Sequence, residues 1–191
     1  MPGSPDALVG DVLDVAPRLL NAVLRNGDVA VRITEVEAYD GPGDPGSHAH
    51  NGRTKRNDVM FGPAGRLYVY FTYGMHYCCN VTVGPEGSPS AVLLRAGEVV
   101  DGLATARDRR RSSDRDLARG PARLCQALAI DLSHNGTDLL GEPVTLTLGD
   151  PPSAVRTGPR VGLRKAADRP WRFWGDGEPT VSTYRPATVR R

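Results

Sequence analysis

The chain has 191 residues, a length that suits one folded domain with its own core. With 39% hydrophobic and 24% charged residues it does not read as disordered or fibrous, and no apolar run approaches the roughly 18 residues that a membrane helix requires. A net charge of +2 neither requires nor excludes a nucleic-acid partner.

Charge distribution says more than the total. From Pro151 onward there are nine Arg or Lys against three Asp or Glu, a difference of +6. Arg53, Lys55, Arg56 and Arg66 form a second basic group. Such clusters can neutralise phosphates, although a solvated arginine-rich surface has the same composition.

Residues 1–6 read as a loose start, and 186–191 as a loose end. No charged start leads into an apolar run, so no signal peptide is expected. Ala7 to Leu24 carries apolar residues at helical spacing punctuated by Pro17, which predicts a helix over about Arg18–Leu24 before the turn Asn26-Gly27-Asp28. Ala30–Tyr39 is rich in β-branched residues and reads as a strand. Strict alternation puts Val31, Ile33, Glu35, Glu37 and Tyr39 on one face and Arg32, Thr34, Val36 and Ala38 on the other. Residues 40–55, rich in Gly and Pro, form a long loop, and a loop of that length in a compact domain is commonly functional.

Arg66–Phe71 and Tyr77–Val83 read as two strands joined near Tyr73-Gly74-Met75, and Ala91–Ala96 as a third. Tyr68 and Tyr70 then share a face, and Tyr73 falls at the tip of the hairpin. Adjacent Cys78 and Cys79 point to opposite faces and lack metal-ligand spacing; with Cys125 they read as reduced thiols of a cytoplasmic protein. Ala104–Asp116 is strongly charged and reads as a loop or helix end. Gly120-Pro121 opens a helix through about Ala129, with Pro at a favoured first-turn position. Val144–Leu148, Val161–Leu163 and Trp171–Trp174 read as short strands. No internal repeat is visible.

Several of these residue types carry chemistry. A carboxylate at a strand end can activate water, although a solvated strand face offers the same residues. An aromatic stripe on a strand is commonly core packing, but a large aromatic at a turn marks an interaction site or a liability.

The order Glu35-Val-Glu-Ala-Tyr39, His48-Ala-His50, Arg56-Asn57 with Met60-Phe61, Leu67 to Met75, Asn80 and Leu93-Leu-Arg-Ala96 resembles the alkyladenine (3-methyladenine) DNA glycosylases. Gly120 to Leu128, Arg160-Val-Gly162 and Arg169-Pro-Trp-Arg-Phe173 extend the likeness over roughly residues 7–183. The resemblance implies an α+β fold in a single mixed domain spanning 1–191, with a curved, largely antiparallel sheet, surrounding helices and a protruding hairpin. It implies a monofunctional glycosylase of base excision repair. Such an enzyme flips 3-methyladenine, 7-methylguanine, hypoxanthine or ethenoadenine out of duplex DNA, hydrolyses the N-glycosidic bond, and leaves an abasic site.

By the same resemblance Glu37 is the general base and Arg95 lies near the catalytic water. Tyr39, His48 and Tyr70 hold the extruded base, Asn80 at the pocket floor disfavours guanine, and Tyr73 fills the vacated stack. Arg53, Lys55, Arg56 and Arg164 are candidate phosphate contacts. No cofactor or metal is expected. The partner is double-stranded DNA containing damaged purines, and the protein is expected to be a monomer in the cytoplasm, at the nucleoid if prokaryotic. Two other readings stay open: a lesion-binding protein without hydrolysis, and a nucleic-acid module whose tyrosines stack on single strands.

Overall fold

The computed structural model describes residues 5–187. The loose ends expected at 1–6 and 186–191 therefore fall largely outside the described residues. Within them, Pro5 and Asp6 already belong to a 3-10 turn, Pro5–Leu8.

The scaffold is α+β: one antiparallel sheet of eight strands with a few short helices. The strands are β1 (Val23–Asn26), β2 (Val29–Asp40), β3 (Leu67–Thr72), β4 (His76–Val83), β5 (Ser90–Asp101), β6 (Val144–Thr147), β7 (Val155–Gly158) and β8 (Arg172–Gly175). Their order is β3-β4-β5-β2-β1-β6, and β8 joins β2 to β7. The long β2 is the centre: its first half pairs with β1, its second half with β8, and its other edge with β5. The helices are α1 (Val12–Val15), α2 (Leu103–Arg109) and α3 (Pro121–Leu128).

One face of the sheet holds the main core. Ile33, Val36 and Ala38 of β2, Val92 and Leu94 of β5, Cys79 and Val81 of β4, and Leu67 and Val69 of β3 pack there with Val12 and Val15 of α1 and Leu124 and Leu128 of α3. The opposite face carries the polar and aromatic side chains described below. Among the described residues, no helix is long and apolar enough to cross a membrane.

Two predicted elements differ. The helix expected over Arg18–Leu24 is instead a 3-10 turn over Ala16–Leu19 followed by β1. Asn21, at φ 64°, and Ala22 exchange backbone hydrogen bonds with Ile33, and Leu24 is fully buried between β2 and β6. Two strand partners outweigh a helical spacing that Pro17 had already interrupted. The expected strand Val161–Leu163 is a turn; the expected strand Trp171–Trp174 is β8, shifted by one residue. The charged Ala104–Asp116 segment contains most of α2 and a 3-10 turn at Asp114–Asp116.

The face assignment of β2 also changes. Strict alternation placed Val31 and Ile33 with Glu35 and Glu37, yet Val31, Ile33, Val36 and Ala38 all lie in the core. The register against β5 shifts between Ile33 and Glu35 and again between Glu35 and Val36. An irregularity of this kind lets two successive residues, Thr34 and Glu35, leave the core face together. Everything after it is inverted, which turns Glu37 and Tyr39 away from the apolar side.

Gly97 sits opposite Ile33 at this irregularity. A Cβ there would stand 2.4 Å from the Arg32 carbonyl oxygen and 2.4 Å from Val31 Cγ1. Gly97→Ala is therefore expected to destabilise the fold by about 1–3 kcal/mol or more. Urea denaturation checks this, and an unchanged midpoint would mean that the strand relaxes at no cost.

Candidate active site

A pocket of about 340 Å³ opens on the polar face of the sheet. Glu37, Tyr39, His48, Tyr70, Tyr73, Asn80 and Arg95 all line it, joined by Met60, Tyr68, Thr72, Cys78, Ala91, Leu93, Pro121 and the turn Val161–Leu163. Alternation along three neighbouring strands explains the convergence: Tyr68 and Tyr70 on β3, Cys78 and Asn80 on β4, and Ala91, Leu93 and Arg95 on β5 share one face.

Glu37 is fully buried. Its Oε1 accepts the Val161 N–H at 2.6 Å and lies 3.4 Å from Arg95 Nη1; its Oε2 accepts the Tyr39 hydroxyl at 2.8 Å. Glu35, also fully buried, is bound by Arg95 Nε at 3.1 Å, Arg172 Nη1 at 3.0 Å, and both the N–H and hydroxyl of Ser182. Arg95 thus bridges two carboxylates. Burial works against its cation, but Glu37 and Glu35 outweigh burial and hold its pKa above the ordinary arginine value. Burial and the Glu37 carboxylate push the Tyr39 hydroxyl well above the usual tyrosine range, so it remains a proton donor to Glu37.

The loop carrying His48 is anchored at both ends. Asp44 forms a two-toothed ion pair with Arg160, and both side chains are buried. Arg160 also donates to the Ala38 carbonyl at 2.9 Å and stacks between Tyr39 and Trp171. Burial alone would raise the Asp44 carboxyl; the Arg160 bonds reverse this and leave it below the ordinary value. Beyond His48, buried Asn57 donates to the His48 and Gly52 carbonyls at 2.9 Å each and accepts the Thr54 N–H at 2.6 Å.

Between these anchors His48 remains exposed on one side, while its ring meets Tyr70 edge-on at 4.6 Å and its Nδ1 lies 3.0 Å from the Tyr68 hydroxyl. Partial burial and the nearby Arg56 cation push its pKa down to about 4, so the imidazole is neutral at pH 7. The Tyr68 hydroxyl is raised to about 12 by burial, partly countered by Arg56, and burial and Cys78 push the Tyr70 hydroxyl well above the usual tyrosine range. Arg56 lies over the Tyr70 ring at 5.4 Å. Asn80 donates to the Tyr68 carbonyl at 3.1 Å, which fixes its amide at the pocket wall.

At the mouth, Tyr73 and Gly74 both have positive φ (51° and 67°) and turn β3 into β4. Tyr73 is 86% exposed and Met75 68%. Of the four phosphate-contact candidates, Arg53 is paired with Asp58, Arg56 covers Tyr70, and Lys55 and Arg164 are exposed. None of these four lines the pocket.

Sequence reading did not single out Asp44, Asn57, Arg172 or Ser182 for the site. Asp44 and Asn57 had a local signal, since both follow turn chemistry within the long loop. Arg172 and Ser182 had none, because they are separated from Glu35 by more than 130 residues. Among the described residues, no group of three or more His, Cys, Asp or Glu is placed to hold a metal ion. All three cysteines are free and buried, Cys79 in the core and Cys78 at the pocket, where burial raises its thiol to about 11.

A family model described as methylpurine-DNA glycosylase matches residues 6–179. Similar curated proteins include provisionally named 3-methyladenine DNA glycosylases of Streptomyces avermitilis, Nocardia farcinica and Leifsonia xyli. Their identities to the chain are 57%, 56% and 55%. The alignments cover 94%, 95% and 94% of this chain and 90%, 91% and 91% of those proteins, respectively.

Asp44→Ala strands a buried guanidinium and is expected to cost about 3–5 kcal/mol, measured by chemical denaturation; a loss under about 1 kcal/mol would mean that Arg160 finds water or another partner. An NMR titration of His48 is expected to give a midpoint far below 6.5, near 4. Because the folded state disfavours the imidazolium, the associated stability is complete above pH 6.5 and declines as pH falls through the window from 6.5 to 4. A midpoint at or above 6.5 would contradict the burial and Arg56 effects.

Proposed function

The chain belongs to the methylpurine-DNA glycosylase family, and from that premise we propose that it is a monofunctional enzyme that turns alkylated or deaminated purines out of duplex DNA and hydrolyses their N-glycosidic bonds. One observation carries the reading: a fully buried carboxylate, Glu37, lies at the wall of an aromatic pocket with its charge met by Arg95. Polar groups converging in a concave, largely apolar site are the usual mark of a reaction centre.

In the proposed mechanism the damaged purine enters between Tyr39 and Tyr70, with neutral His48 against its edge. Tyr73 occupies the gap left in the stack, as wedge residues do in proteins that unstack bases. Glu37 takes a proton from water as the water oxygen bonds to C1′. The C1′–N bond breaks and its electron pair leaves with the purine, yielding an abasic sugar. The Val161 N–H and the Tyr39 hydroxyl orient the carboxylate, and the Arg95 guanidinium lies 3.4 Å from its Oε1.

Lesion preference follows from charge. N3- and N7-methylpurines are cationic, so they stack strongly on tyrosine rings and depart as neutral bases. Neutral lesions such as hypoxanthine need a proton from an acid before they leave. Damaged bases also cost less to unpair. Asn80, held rigid by its bond to the Tyr68 carbonyl, opposes the exocyclic amino group of guanine. Lys55 and Lys165 are the lysines of the chain and neither lines the pocket, so no side-chain amine is placed to form a Schiff base with the sugar. The enzyme is accordingly proposed to lack strand-cleaving activity.

The test is a single-turnover assay on duplexes carrying one hypoxanthine or one 3-methyladenine analogue, with and without alkali. Alkali-dependent cleavage at the lesion is expected. Glu37→Gln should lower the rate by roughly 10²–10⁴-fold with lesion binding within a few-fold of the parent. Tight lesion binding without abasic product would establish a non-catalytic binder, and a preference for undamaged single strands would establish a stacking module.

A further inference from the structure

After β8 the chain doubles back across the polar face of the sheet, in a segment from Glu178 to Arg185 that begins where the family match ends. It is fastened at successive residues. Glu178 pairs with Arg32 at 2.8 Å, and the buried Thr180 hydroxyl meets that of Thr34 at 2.8 Å. The Val181 carbonyl accepts Arg119 Nε at 2.8 Å, and the Ser182 N–H donates to Glu35 at 2.6 Å. Finally the Arg185 carbonyl accepts the Gly162 N–H at 3.0 Å.

Two of these fastenings lead directly to Glu37. The Ser182 hydroxyl donates to Glu35 Oε1 at 3.0 Å and accepts from Arg95 Nη2 at 3.3 Å, so it joins Glu35 to the guanidinium whose Nη1 faces Glu37. The Arg185 carbonyl holds Gly162, and the preceding residue, Val161, donates the 2.6 Å hydrogen bond to Glu37 Oε1. Both polar groups that meet Glu37 Oε1 are thus steadied by the same strap.

We propose that the Glu178–Arg185 strap is a positioning element of the reaction centre, with Ser182 as the positioning residue that sets Arg95 against Glu37. The inference rests on the reading of Glu37 as the general base. None of the strap residues lines the pocket, so they act on the carboxylate and not on the bound base. The strap therefore affects the rate of bond cleavage and leaves lesion recognition to the aromatic side chains. An error of about 1 Å in the placement of a reacting group can cost up to roughly 10²-fold in rate.

The experiment compares Ser182→Ala, Ser182→Thr and Glu37→Gln with the parent full-length protein. It reads the single-turnover excision rate and the lesion-duplex Kd separately, with thermal melts alongside. Ser182→Ala is expected to slow excision by about 10-fold with Kd within 2-fold, and Ser182→Thr, which restores a hydroxyl, to recover most of the rate. Thr180→Val removes a different anchor of the strap without touching Glu35 or Arg95. It is expected to slow excision by a smaller factor at unchanged Kd, and it decides the matter if Ser182→Ala does not fold. A parent-like rate in both Ser182→Ala and Thr180→Val overturns the proposal, as does a rate loss matched by an equal loss of binding. If Glu37→Gln itself excises at the parent rate, the base assignment fails and the strap proposal falls with it. If Glu37→Gln is dead while both strap variants are fully active, only the strap proposal fails.

Discussion

Arg95 stands between two buried carboxylates, and the rest of the pocket depends on Arg95 and Arg172 together balancing them. Taking an isolated carboxylate out of water costs several kcal/mol, and an unpaired one would become protonated instead. Here Glu35 and Glu37 are opposed by Arg95 and Arg172, while Ser182, Val161 and Tyr39 supply further hydrogen bonds to their oxygens. The two acids are not equivalent. Glu35 is ringed by two guanidiniums and a serine, so its lone pairs are committed. Glu37 keeps an oxygen whose partner is a neutral hydroxyl, at the wall of an open pocket. A structural acid thus fixes the arginine, and the arginine in turn conditions the second acid.

The same logic, with different residues, secures the loop above. The glycines of this segment have a large conformational entropy to lose, and its short 3-10 turn, Gly41–Gly43, adds little to hold it. The Asp44–Arg160 pair supplies a rigid attachment, since a guanidinium meets a carboxylate through two parallel bonds. Arg160 is also sandwiched between Tyr39 and Trp171, so the attachment of the loop and the orientation of a pocket tyrosine share one side chain. Asn57 closes the far side with side-chain bonds to three backbone groups. His48 is left protruding between two fixed points, and this lets a loop residue hold a defined position.

How much of this was legible in the sequence depended on distance along the chain. The hairpin of β3 and β4, the strand β5 and the helix α3 followed from alternation, turn residues and Pro121, all local signals. The pocket residues Tyr68, Tyr70, Asn80 and Arg95 fall on one sheet face because the period of two survives in those strands. In β2 that period fails. A strict count keeps Ile33 and Glu35 together, whereas the register shifts against β5 separate them, and a bulge leaves no mark in a run of β-branched residues. The predicted helix before β1 failed for a related reason: Leu24 is claimed by strands on both sides, a tertiary demand that local spacing does not encode. Resemblance found the residues that face the pocket but not those behind them. Arg172 and Ser182 act through Glu35, more than 130 residues away, and their chemistry is visible only once the chain has folded.

Tyr73 presents a separate problem of energy. A non-glycine residue in the left-handed region costs of order 1–3 kcal/mol and persists where the surroundings hold it there. The β3–β4 ladder and the neighbouring Gly74 impose the conformation, but the ring itself, 86% exposed, recovers almost nothing by burial. Met75 beside it is likewise exposed, and Phe71 is 43% exposed. An apolar tip on a strained turn therefore lowers the stability of the free protein without repayment inside the fold. Stacking an aromatic ring on a base is worth about 1–3 kcal/mol, the same size as the backbone strain. Within the proposed function the account closes only when the ring stands between bases. Since the turn already fixes the backbone at Tyr73 and Gly74, little further ordering of the main chain is required on insertion.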